Sequence, residues 1–284
     1  MASELRETIP TFEQSVGAQE SEVSLTNWSA LTSAGFARSW IEALAIALLA
    51  VAIIGGTELY VRWQDVPAYT FPAPSQIGKA LWENFDLFWP HLKATLRVMF
   101  AGYAIGAAVG IVLAAVITQF PFVEKVITPY ILLLVTTPMI ALVPMLVLQL
   151  GFGDSPRVIA VALATGPMVM INSATGFRRT DLAKIALARS YGASTLQIFT
   201  KVRFPLALPM IIVGLMVGAI FGLLTAVGAE IVGSSEGLGN RLMYYSSRIQ
   251  MANFWAVIVM LATMGILIYV LFYWIGKRWA SWQA

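Results

Sequence analysis

Apolar residues in this chain come in long unbroken runs. They show neither the alternation of strands nor the one-sided stripe of soluble helices. Six runs approach the ~20 residues a helix needs to cross ~30 Å of hydrocarbon, at roughly 41–61, 92–118, 126–150, 158–177, 206–232 and 254–275. The third is interrupted by Pro129, Pro138 and Pro144, which predicts a break around 136–144. The first is read as a span, because it is too long for a signal peptide and lacks a small-residue cleavage site after a basic start. Between spans one and two, Phe71-Pro72-Ala73-Pro74-Ser75 is expected to be extended, with Ser75 capping a short helix over 76–84. Ahead of the spans, 1–40 reads as a flexible cytoplasmic tail rich in Ser, Thr and Glu. Within it, 25–40 with Trp28, Leu31, Phe36 and Trp40 is either an amphipathic elbow in the interface or unstructured. The expected fold is all-α and polytopic, with about six transmembrane helices in a membrane domain over 41–278.

Composition agrees. Of 284 residues, 58% are hydrophobic and 12% charged, and the mean hydropathy is +0.77. A soluble domain carries about twice that charge. The absence of cysteine removes disulfides, thiolate nucleophiles and Cys-ligated metals, and the single His91 cannot build a multi-histidine site. No catalytic, cofactor-binding or metal-binding set is expected, and the basic residues do not suggest nucleic-acid binding.

Charge placement sets the orientation. The 178–205 link holds Arg178, Arg179, Lys184, Arg189, Lys201 and Arg203, six of the 18 basic residues, against Asp181 alone. By the positive-inside rule it is cytoplasmic. Counting spans outward puts both termini inside and leaves Arg62, Lys79, Arg157, Arg241 and Arg248 outside. The link is too long for a simple turn. Thr180 or Asp181 can cap a helix over 182–191, and Gly192 supplies a left-handed turn. Ser194 caps a second helix over 195–203, ended by Pro205. Leu182, Ile185 and Leu187 lie near one side of the first helix, and Leu196, Phe199 and Val202 along one side of the second. Such a hairpin suits either a soluble partner or anionic lipid.

Two spans carry doubled G-x-x-x-G faces, Gly102, Gly106 and Gly110 in the second and Gly214, Gly218 and Gly222 in the fifth. These faces suit close helix packing, within one bundle or between subunits. Polar groups inside the spans mark candidate pathway positions, because lipid penalises them. Glu42 and Glu58 lie near the ends of span one, where they can snorkel. Arg97 can pair with an acid or attract an anion. Asn172 and Ser173 lie in span four. Glu230, near the outer end of span five, needs a partner or a gating role. Thr136, Thr137, Pro138 and Met139 occupy the expected break, and Met139, Met145 and Met216 can form an apolar gate or simply pack. No G-x-x-x-x-G-K-[ST] phosphate loop is present, so energy must come from another polypeptide or from an ion gradient.

The run Ala186-Leu187-Ala188-Arg189-Ser190-Tyr191-Gly192-Ala193-Ser194, followed by Phe204-Pro205-Leu206-Ala207-Leu208-Pro209, resembles the "EAA" loop of ABC-importer permeases. Phe71-Pro72-Ala73-Pro74-Ser75 resembles the F-P-x-P-S stretch of the nitrate/sulfonate/taurine branch. Pro138 to Pro144 followed by Leu150-Gly151-Phe152-Gly153 is similar to its P-x-x-A-L-x-P…F-G-x-G stretch. Ala229-Glu230-Ile231-Val232-Gly233-Ser234-Ser235-Glu236-Gly237-Leu238-Gly239 is similar to its A-E-x-x-G-x-x-x-G-L-G stretch. Together these cover about 70–278. One position departs, since the glutamate of the loop pattern falls on Ala186, which leaves an acidic contact missing or moved to Asp181.

The resemblance implies a type I importer permease fold in a bacterial inner membrane. It implies a second copy of the chain, cytoplasmic ATPase subunits that bind the ATP and Mg, and an extracytoplasmic substrate-binding protein. The helix at 182–191 would seat in the ATPase, with Asp181, Ala186, Ala188, Arg189, Gly192, Ala193 and Ser194 as the coupling residues. Nitrate, bicarbonate, taurine or an alkanesulfonate would be the cargo. The rival readings are a secondary transporter driven by an ion gradient, which needs buried paired acids, and a membrane enzyme, which needs a nucleophile or metal cluster.

Overall fold

A computed structural model describes residues 40–279, and the regular elements in that range are all helices. In chain order they are α1 (Trp40–Trp63), α2 (Pro74–Glu83), α3 (Phe85–Gln119), α4 (Pro121–Thr136), α5 (Met139–Leu150), α6 (Asp154–Arg178), α7 (Leu182–Ser190), α8 (Thr195–Ile198), α9 (Phe204–Gly233), α10 (Leu238–Ser247) and α11 (Met251–Trp279). The expected tail and elbow lie outside the described residues, save for Trp40, where α1 begins. The chain divides into two compact units at Ile53 and Ile54. Within the described residues the first unit holds the early turns of α1. The second, from Ile54 onward, holds everything discussed below.

Five helices among the described residues are long and apolar enough to cross a bilayer, and the pair α4 and α5 makes a sixth span if it is one broken crossing. That pair bends by 97°, where the prolines predicted a break. Pro138 has no N–H to continue α4, and α5 restarts with the Ala141 N–H on the Pro138 carbonyl (2.9 Å). α3 begins seven residues ahead of the expected span, because Phe85–Pro90 mixes acid and turn-forming residues that end an apolar count without ending the helix.

Two expectations about caps need correction. Ser75 does not cap α2, whose N-cap is Ala73. Instead the Glu58 carboxylate accepts from the Ser75 N–H (2.9 Å), the Ser75 hydroxyl (2.7 Å) and Arg62 Nε (2.6 Å). Glu58 therefore ties the end of α1 to the start of α2 rather than snorkelling free. Pro205 does not end the second loop helix either. After α8 the backbone widens into a π turn over Phe199–Arg203, and α9 follows without interruption. The Phe204 N–H reaches back five residues to the Phe199 carbonyl. Pro205 brings no N–H to this stretch, and the helix runs on past it behind the wider π turn.

The glycine faces decide the packing. A Cβ on Gly106 would lie 2.6 Å from the Ala162 carbonyl oxygen, and one on Gly110 2.5 Å from that of Gly166. A Cβ on Gly218 would lie 2.7 Å from Val169 Cγ2, and one on Gly214 2.8 Å from Asn172 Cβ. Both faces therefore grip α6 within a single chain, and Val161, Thr165 and Val169 meet both of them. The Thr165 hydroxyl adds a bond to the Gly218 carbonyl (3.2 Å). In lipid, where apolar contact alone gives no drive to associate, such close approach holds helices together by dispersion. A second cluster, with Phe88, Val98, Leu238, Tyr245 and Val257, seats α10 between α3 and α11.

Candidate functional site

α6 and α9 share their two ends, and each end carries one part of the candidate site. At the end where α6 finishes and α8 begins lies the 178–205 loop. Asp181 caps α7, with Oδ1 accepting from the Ala183 N–H (2.8 Å). α7 closes on Gly192 at φ +77°. The Gly192 N–H bonds the Arg189 carbonyl (2.9 Å) and the Ala193 N–H bonds the Ala188 carbonyl (3.1 Å). This pair of bonds is a Schellman end, in which a left-handed residue lets the last carbonyls find donors. Ser194 and Gln197 then form a reciprocal capping box at the start of α8. The run 188–194 is thus almost wholly occupied in turning the chain.

The apolar residues of the loop split in a way that spacing alone misread. Ile185 and Ile198 are buried, whereas Leu182, Leu187, Tyr191 and Leu196 are 78%, 59%, 84% and 72% exposed. Ile185 thus parts from Leu182 and Leu187, with which spacing grouped it, and these two stay uncovered together with Leu196. The seat beneath is aromatic, with Phe177 lying 5.1 Å from Phe199 and 6.3 Å from Phe204 between ring centroids. Phe177 escaped sequence reading because it sits inside an apolar run with nothing to set it apart. Ala186 is exposed, and Asp181 is occupied as a cap. Arg178 pairs with Glu124 at the start of α4 (2.6 Å).

At the other end of α6 and α9 lies a polar clasp. Glu230 is fully buried, and its Oε2 accepts from the Thr95 hydroxyl and from the Gly239 N–H, both at 2.9 Å. The Leu238 N–H donates to Thr95 Oγ1 (2.9 Å) and the Gly237 N–H to His91 Nδ1 (3.1 Å). A side chain on Gly237 would run into the Glu230 carboxylate, and one on Gly239 into the Val227 carbonyl. Gly237 also lies at φ +98°. The glycines of the G-x-G run are therefore what lets three backbone amides reach α3 and Glu230. Beside them Arg157, buried, bonds Asp154, the Gly153 carbonyl (3.0 Å) and Ser234 (2.7 Å). Arg97 pairs with Asp154 (2.7 Å) and approaches Glu236 (3.9 Å). Of its two expected uses, Arg97 takes the acid partner. Nearby, burial pushes the Tyr245 phenol above its ordinary range.

The remaining pathway candidates do not converge within one chain. Thr136 and Thr137 return their hydroxyls to the carbonyls of α4 at the bend, where Thr136 and Pro138 are exposed and Thr137 and Met139 half-buried. Asn172 bonds the Met168 carbonyl (2.8 Å). Ser173 is buried, with no hydrogen-bond partner for its hydroxyl among the described residues. Met216 is half-buried and Met145 exposed. No group of three or more metal-ligating side chains occurs among the described residues.

Residues 106–281 match the family model for the binding-protein-dependent transport system inner membrane component. A formylaminopyrimidine transport permease of Halalkalibacterium halodurans is 31% identical, over 80% of this chain and 90% of that one. The taurine transport system permease of Escherichia coli K12 is 34% identical, over 53% of this chain and 55% of that one. The solved structure of an amino acid ABC transporter superposes with a TM-score of 0.57 at 19% identity, covering 69% of this chain and 95% of that one. With its helices in that arrangement and its family motifs at the two ends of α6 and α9, this chain belongs to the binding-protein-dependent transport inner membrane components, the multi-pass permease subunits of ABC importers.

Proposed function

We propose that two copies of this chain form the path for a small anion or organic anion such as nitrate, bicarbonate, taurine or an alkanesulfonate. The 178–205 loop faces the cytoplasm, with both termini on that side, and ATPase subunits seat on it. The substrate-bound binding protein docks over 62–91 and 233–253. The observation that carries this reading is the continuity of the loop with the span. α8, the π turn and α9 form one helix of 39 residues, so a displacement applied at Leu196 reaches the glycine face against α6. The exposed Leu182, Leu187, Tyr191 and Leu196 give a groove on the ATPase something apolar to hold, and the density of basic residues supports the cytoplasmic side. ATP binding then biases a two-state bundle toward the outward opening, and hydrolysis resets it. Thr136, Thr137, Pro138 and Met139, at the bend, and Met216 line the path between the two copies. Asn172 and Ser173 help set how α6 and α9 pack.

The taurine relative supports a cargo that carries a sulfonate or similar oxyanion group, and the formylaminopyrimidine relative makes an uncharged heterocycle the comparison ligand. The test is co-expression with the ATPase, gentle extraction and affinity purification. The ATPase should copurify with the wild type and be lost with Gly192→Val, which forces a β-branched residue to φ +77°. Failure of any nucleotide-binding subunit to associate with the wild type overturns the reading. So does accumulation of solute by the purified chain alone with 182–203 deleted.

A further inference from the structure

On α10 and the turn that follows it, two arginines share one aromatic ring. Arg241 Cζ lies 4.8 Å and Arg248 Cζ 3.9 Å from the centroid of Tyr244. The ring is held firmly. It stacks edge-on against Tyr245 (5.3 Å), which is buried and meets Phe88 edge-on at 6.0 Å. Neither arginine has a carboxylate within 4.0 Å among the described residues. The other arginines at this end of the molecule are paired, Arg62 with Glu58, Arg97 with Asp154 and Arg157 with Asp154. Arg241 Nε is also buried without a hydrogen-bond acceptor. The positive charge here is therefore surplus, and its two guanidinium planes are held over a ring.

The turn beside it is strained. Ile249 sits at φ +58° with its side chain 60% exposed. The left-handed region is unfavourable for a β-branched residue, and such strain concentrates at functional sites. Met243 and Tyr244 are exposed alongside. Arg, Tyr and Met with an apolar neighbour is the composition of protein interface centres. A guanidinium held over an aromatic face presents a planar fork suited to bidentate carboxylates.

We propose that Arg241, Tyr244 and Arg248, with Ile249 as the apolar anchor, are the docking surface for an acidic patch on the soluble binding protein. The proposal rests on the permease reading above. It adds which residues receive that partner and the charge they require. Steered association of this kind raises the encounter rate and is screened by salt.

The test uses the complete transporter, permease with ATPase and binding protein, in nanodiscs of neutral lipid. ATPase activity is titrated with binding protein. In Arg241→Glu/Arg248→Glu, and in the milder Arg248→Glu alone, the half-saturating concentration should rise about tenfold and about threefold. Basal and maximal rates should stay at wild-type values. Wild-type half-saturation should rise between about 50 and 300 mM salt, and the double variant should lose that dependence. Unchanged half-saturation in the double variant overturns the proposal. A loss seen only in discs containing phosphatidylglycerol overturns it in favour of a lipid headgroup site. No stimulation of the wild type at any concentration overturns the permease partnership, and this surface with it.

Discussion

The two ends of α6 and α9 are finished in opposite ways. At the Glu230 end, side chains and amides from α3, α9 and the 234–239 loop answer one another within the chain. Thr95, Arg157 and Glu230 are buried and bonded within the chain, with Glu230 Oε1 the one clasp oxygen that has no partner among the described residues. At the Gly192 end the bonds of the loop from Asp181 to Gln197 are local, made within a turn or a cap, and only the Arg178–Glu124 pair at its edge joins two helices, while four large apolar or aromatic side chains stand uncovered. Glycine marks both ends for different reasons. Gly239 is crowded on all sides, and Gly192 has open space and an unusual φ. The contrast teaches that the first end is a joint made within the chain and the second an uncovered surface, the division that the proposed seating of an ATPase would use.

Four experiments can break or sharpen that contrast. The largest effect is expected from Gly239→Val, which pushes a branched side chain onto the Val227 carbonyl. It should destabilise by about 3 kcal/mol, read as a collapse of the monodisperse fraction and of thermal stability in detergent. Val at Gly265, where a Cβ meets nothing within 4 Å, serves as the matched control and should leave both unchanged. Next is Glu230→Ala, which strands the Gly239 N–H in a buried place and leaves the Thr95 hydroxyl only the His91 carbonyl (3.2 Å). A cost of about 2 kcal/mol follows, and a melting temperature equal to wild type would show the clasp to be idle.

Ser194→Ala removes one half of the capping box at the other end. It should cost about 1 kcal/mol of local helix stability, visible as faster amide exchange over 195–203 with global melting unaltered. The smallest stability effect belongs to Leu187→Ser/Tyr191→Ser, within about 0.5 kcal/mol of wild type because both positions are exposed. That variant should nonetheless lose the copurifying ATPase. If it keeps the ATPase, the uncovered side chains are not the seat.

Much of this was legible in the residues. Apolar runs long enough to span a bilayer announce themselves, because lipid leaves a backbone no choice but a helix. Asp181, Gly192 and Ser194 were readable as cap, turn and cap, because those roles depend on a few neighbouring atoms. The prolines located the bend between α4 and α5 for the same reason. Ser75 was misassigned because a distant carboxylate, Glu58, outcompetes the local cap. Pro205 was misread because a π turn ahead of it absorbs its missing donor. The loop's apolar side was misjudged because helices of nine and four residues are too short for periodicity to say which face meets the protein.

By itself, then, the order of residues determined where the long apolar helices lie, where the chain turns, and which glycines lie on one helix face. These are properties of short stretches and of the solvent they sit in. Only the tertiary structure decided that both glycine faces close on the same helix, and that Glu230 is shared among α3, α9 and the loop after it. Those facts join residues up to about 140 positions apart, such as Thr95 and Glu230, with |i−j| of 135. Nothing in a local pattern encodes a meeting that only packing can arrange.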